Sequence, residues 1–74
     1  NNIAKYDLFN QKEEYLGKIS AVIKIKNNNL IQVYINDTEV LLPYNKKNIL
    51  VLDHFKKLLK LNIADGLIEL YTGE

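Results

Sequence analysis

Apolar and polar residues alternate along most of this chain, in short runs separated by clusters of asparagine, aspartate, glycine and lysine. Between Tyr15 and Lys26, Ile19, Ala21, Ile23 and Ile25 fall on one side and Lys18, Ser20, Lys24 and Lys26 on the other, broken only by Val22. Successive side chains of a strand point to opposite faces, so this period of two predicts a half-buried β-strand. Ile3 to Phe9 reads as a strand before it, and Leu30 to Asn36 as one after it, with Ile31, Val33 and Ile35 inward. Glu39 to Leu42 makes a fourth, whose pairing should stop at Pro43 because proline has no N–H to donate. Ile49 to Leu52, Leu58 to Ile63 and, beyond Asp65-Gly66, Leu67 to Tyr71 complete an all-β meander of six or seven strands. Gly17, at the start of the second strand, predicts a bulge or sharp bend, and Asn27 to Asn29 a hairpin turn.

One stretch has two readings. Leu52, Phe55, Leu58 and Leu59 recur at three- and four-residue spacing behind Asp53, which suits an N-cap, so Asp53 to Lys60 fits a short amphipathic helix. The same residues also fit a strand, a turn and a strand, and the local pattern leaves both open.

Composition narrows the class. With 74 residues, 47% apolar and 26% charged, the chain is one domain, residues 1–74. It has no cysteine, which excludes disulfides and thiolate metal sites, and a core this small supplies only about 3 to 5 kcal/mol. The longest apolar runs, such as Ile49 to Leu52, fall far short of the roughly 20 residues of a membrane span, so a soluble, cytoplasmic protein is expected. The chain opens on Asn1 and has no methionine, from which we expect a fragment of a longer protein. All ten basic residues are lysines, which hold phosphate as point charges without arginine's bidentate fork. Net charge is 0 over residues 1–43, +4 over 44–62 and −3 over 63–74. The basic middle could touch phosphate or an acidic protein face, although solvated surfaces commonly carry such clusters.

Catalytic apparatus is not visible. His54 beside Asp53 could be read as a general base with its carboxylate, but adjacent residues rarely hold that geometry, and an exposed turn histidine is the simpler reading. Glu13 and Glu14 are consecutive, so their side chains should diverge. The three glycines, at 17, 66 and 73, form no phosphate-binding or dinucleotide motif, and no metal-ligand spacing occurs. Tyr34 and Tyr44 could stack on bases, as in single-strand binders, or simply cover a small core.

Taken in order, Asn2-Ile3, Leu8, Leu16-Gly17-Lys18-Ile19, Leu41-Leu42-Pro43, Leu52-Asp53, Leu59, Leu61 and Asp65-Gly66-Leu67 form a pattern across the chain. This pattern resembles the PRC-barrel domain that forms the C-terminal half of the RimM family of bacterial ribosome maturation factors. The resemblance covers roughly residues 2–70. Lys5 and Glu13 stand where the family usually has glycine, and Ala64 where it commonly has proline. The resemblance implies a small PRC-type β-barrel of about six strands, meander-like, with at most a single helical turn. It also implies that Asp53 to Lys57 is a hairpin turn, with Phe55 lying over the barrel mouth.

For function, the resemblance implies a non-enzymatic domain, without cofactor, metal or small-molecule substrate, that assists assembly of the small ribosomal subunit head. The implied partner is the immature small subunit through its nineteenth ribosomal protein, with ribosomal RNA as a second possible contact. The family's paired-tyrosine motif would fall upstream of Asn1, together with an N-terminal domain. A contact patch is expected at Tyr44, Lys46 and Lys47, where an aromatic residue and two cations follow Pro43. The competing readings are a free-standing PRC-barrel adaptor and an OB-like binder of single-stranded RNA, the latter marked by steep salt dependence.

Overall fold

The computed structural model describes residues 2–73; Asn1, where the chain opens, and Glu74, one of the three acids of the acidic end, lie outside the described residues. Six strands, β1 (Asp7–Phe9), β2 (Tyr15–Ile25), β3 (Asn28–Ile35), β4 (Thr38–Pro43), β5 (Ile49–Asp53) and β6 (Leu58–Leu61), precede one helix, α1 (Leu67–Thr72). The strands form one sheet in the order β4-β3-β2-β1-β6-β5. Neighbours are antiparallel except β1 and β6, which run parallel, with Asp7 opposite Leu58 and Phe9 opposite Lys60. The all-β expectation holds, and the sheet curls around its core without closing, since β4 and β5 stand at its two ends.

The two halves of the sheet share β2. Its start pairs with β1, Lys18 opposite Asp7, and from Ile19 onward it pairs with β3. Two irregularities bend it there. Between Leu8 and Phe9 the partner jumps from Gly17 to Tyr15, leaving Leu16 as the extra residue of a bulge beside Gly17, whose φ is 120°. Bulges increase local twist, so the bend predicted from this glycine is where one half of the sheet folds toward the other. A second shift, between Ile19 and Ala21, corrects the alternation read from the sequence. The extra residue reverses the faces, and Val22, the exception to the pattern, packs against the core while Ile25 is exposed.

Eleven apolar side chains are buried among the described residues. Alternate residues supply most of them: Ile31 and Val33 from β3, Val40 and Leu42 from β4, Leu59 and Leu61 from β6. Leu8 of β1 and Ile19 of β2 complete the centre, and Ile3, Tyr6 and Ile63 cover it from the connections.

Two expected strands change character. Of Ile3 to Phe9 only the last three residues are regular strand: Lys5 adopts φ 72° and the Tyr6 N–H turns back to the Ile3 carbonyl at 3.1 Å, although Lys5 and Tyr6 still bond to Ile19 through the backbone. Leu67 to Tyr71, expected as a seventh strand, is helical. Gly66 at φ 82° redirects the chain, Leu67 and Ile68 then pack on the core beside β4, and Leu70 faces solvent. Gly73 at φ 78° ends the helix, its N–H donating to the Glu69 carbonyl at 2.8 Å. Asp53 to Lys60, by contrast, is a strand end, a turn and a strand. No helix among the described residues is long and apolar enough to cross a membrane.

Candidate docking surface and similarity to known proteins

The β5–β6 hairpin presents the most exposed aromatic side chain of the described residues. Asp53 organises the turn: its Oδ1 accepts the backbone N–H groups of Phe55 and Lys56, both at 2.9 Å. Lys57 then takes φ 56°, and its carbonyl accepts the Asp7 N–H at 3.0 Å, which anchors the tip to β1. His54 is exposed, as read from the sequence, yet its Nδ1 is hydrogen-bonded to the Tyr6 hydroxyl at 2.8 Å, with the rings edge to face at 5.7 Å. The Asp53 oxygen serves the turn amides, so the geometry does not favour a carboxylate–imidazole relay. Phe55, expected over the barrel mouth, is 95% exposed. His54 occupies the position against Tyr6, and the turn carries residue 55 away from the sheet.

At the other end of β5, the loop holding the expected contact patch is built by asparagines. Asn48 donates from Nδ2 to the Pro43 carbonyl at 2.6 Å and accepts the Asn45 N–H at 2.9 Å, while Asn45 Oδ1 accepts the Lys47 N–H at 2.9 Å. Lys46 and Lys47 are exposed on this loop. Tyr44 is half-buried against the core, and burial pushes its phenol above the ordinary value of 10.0, the nearby Tyr6 phenol adding to the shift. The structure therefore sets the two cations at the rim and turns the ring inward. A shallow groove of about 240 Å³ adjoins them, lined by Pro43, Asn45, Lys47, Asn62 and Leu67.

Other candidates stand apart from both places. Tyr34 is exposed on β3. Glu13 and Glu14 diverge, Glu13 to Lys60 Nζ at 3.5 Å and Glu14 to Asn10 Nδ2 at 2.7 Å. Among the described residues no three acidic or histidine side chains gather as a metal ion would need. On the β1–β2 surface, Asp7 accepts hydrogen bonds from Lys18 at 2.9 Å and Tyr15 at 3.0 Å. The Lys18 ammonium, with help from the Tyr15 hydroxyl, holds the Asp7 carboxyl below its ordinary 3.8.

Sequence reasoning missed Gln11. Its side-chain amide donates to the Ile63 carbonyl and accepts the Ile63 N–H, both at 2.9 Å, as a neighbouring strand would. Its partner lies 52 residues away, so no local pattern could have marked it.

No family model and no curated protein matches the chain. Among solved structures, a 16S ribosomal RNA processing protein, RimM, from Pseudomonas aeruginosa superposes with a TM-score of 0.74 at 21% identity, over 84% of this chain and 41% of the other. The chain has the fold of part of RimM. Its likeness to RimM bears out, at the level of fold, the resemblance carried by Leu16-Gly17-Lys18-Ile19 and Leu41-Leu42-Pro43. The chain spans less than half the length of that RimM protein.

Proposed function

We propose that this chain is a non-enzymatic, cytoplasmic domain of a ribosome maturation factor, docking on the immature small ribosomal subunit to assist assembly of its head. The observation that carries this reading is the fold shared with RimM over most of the chain. The use of polar side chains agrees with it: Asn10, Gln11, Asn48 and Asp53 all bond to backbone groups and so maintain shape. In this reading the partner is the nineteenth small-subunit protein, and Lys46 and Lys47 meet it from a loop whose base is packed by Tyr44.

Binding of the full chain to purified immature small subunits tests the proposal. Saturable binding, competed by the free nineteenth protein, is expected; no binding at moderate salt overturns the proposal. The double variant Lys46→Glu, Lys47→Glu should weaken binding several-fold, and unchanged affinity removes these two residues from the interface.

A further inference from the structure

The β5–β6 tip has a composition that packing does not explain. Phe55 is 95% exposed and contributes nothing to the core, although phenylalanine is among the side chains that gain most from burial. Its neighbours in the turn are His54, Lys56 and Lys57, all exposed. Lysine is depleted in the buried core of protein–protein interfaces, and two lysines follow the ring directly here. Both carboxylates nearby are engaged: Asp53 by the turn amides and Asp7 by Lys18 and Tyr15. Lys56 and Lys57, both exposed, outweigh the single charge of Asp53 and leave the turn net positive.

The tip is also held in place. The Asp53 turn, the Asp7–Lys57 backbone bond and the Tyr6–His54 contact fix its backbone from three sides. A ring carried on such a mount has both faces open and loses little freedom on stacking. Single-stranded nucleic-acid binders combine an open aromatic face for a base with cations for the flanking phosphates.

We propose that the β5–β6 tip is a contact site for single-stranded RNA, in which Phe55 stacks on an unpaired base and Lys56 and Lys57 meet the adjoining phosphates. This site lies at the opposite end of β5 from Lys46 and Lys47 and does not depend on the protein contact proposed above.

Fluorescence anisotropy of the full chain with a labelled ten-nucleotide single-stranded RNA, from 50 to 200 mM salt, tests it. Phe55→Ala should weaken binding by about ten-fold, while Phe55→Trp retains binding and reports it by quenching of the indole. Lys56→Gln combined with Lys57→Asn should reduce the slope of log affinity against log salt by about 1.4, two phosphates at roughly 0.7 each. Asparagine is chosen at 57 because it tolerates the left-handed backbone there. Circular dichroism should show every variant folded, since these side chains lie outside the core. The proposal is overturned if the chain binds no RNA at 50 mM salt, or if it binds RNA and Phe55→Ala leaves the affinity unchanged. It is equally overturned if Phe55→Ala weakens only binding to the nineteenth ribosomal protein, which would make the tip a protein contact.

Discussion

Lys5 and Glu13 show how a single position bears on this fold. Both adopt left-handed backbone, φ 72° and 65°, and both stand where the resembled family usually has glycine. A side chain there costs about 1 to 2 kcal/mol, partly offset by the greater freedom that glycine loses on folding. We expect Lys5→Gly to stabilise the chain by about 0.5 to 1 kcal/mol, read as a higher urea midpoint with unchanged slope. A lower midpoint would show that Lys5 makes a contact worth more than the strain. Glu13 is a poorer test, because its carboxylate also lies 3.5 Å from Lys60.

The Asp7–Lys18 pair gives a pH prediction at the same scale. The folded-state value of Asp7 is depressed below 3.8, so its contribution is present above that pH and lost as pH falls through the lower folded value. Hydrogen bonding to Asp7 raises Lys18 above 10.5, so the lysine's contribution is present below that pH and lost as pH rises through the higher folded value. Both groups are exposed, so the pair adds little stability between these limits. An NMR titration should place the Asp7 midpoint below 3.8, and Lys18→Met should move it upward; an unmoved midpoint would assign the shift to another group.

At the scale of elements, Gln11 substitutes for a missing strand partner. Beyond Leu61 the ladder ends, and the Ile63 N–H and carbonyl are satisfied by this one side chain, 2.9 Å away in both directions. The stretch so held leads directly to Gly66 and α1. Gln11→Ala should cost about 1 to 3 kcal/mol, two hydrogen bonds of about 0.5 to 1.5 each. Hydrogen exchange at the Ile63 amide should accelerate more than in β3, and equal acceleration everywhere would mean that the clamp acts only on global stability.

Elements with a local cause were legible in the sequence. Ile31 and Val33 alternate on β3, and Gly17 marks a bulge. What escaped had a distant or one-residue cause: the bulge after Ile19 that turns Val22 inward, the Gln11 clamp, and α1, whose few residues fit a strand as well as a helix. For the candidate surface, the cations at 46 and 47 and the turn at Asp53 could be read in advance. The inward packing of Tyr44 and the outward position of Phe55 could not, because each depends on Tyr6 and the curl of the sheet.

For the molecule as a whole, everything rests on one cluster. Eleven buried side chains join both halves of the sheet, no cysteine staples them, and no buried side-chain polar group is left without a partner among the described residues. A domain of this size has a total stability of about 3 to 5 kcal/mol. Leu59 lies fully buried on β6, between β1 and β5, where the parallel and antiparallel ladders meet. Leu59→Ala should cost about 2 to 5 kcal/mol, the loss of transfer energy plus a cavity, which is comparable with the whole. The variant should therefore be largely unfolded at 25 °C without denaturant, seen as loss of β-type circular dichroism, whereas Leu70→Ser, at a position 82% exposed, should change stability by no more than about 0.5 kcal/mol. If Leu59→Ala instead unfolded in two steps, with β2, β3 and β4 persisting after β5 and β6 had melted, the halves sharing β2 would be separate cooperative units. A docking role would then rest on each half alone, because the Lys46–Lys47 loop and the Phe55 tip keep their relative positions only while β5 stays paired to β6.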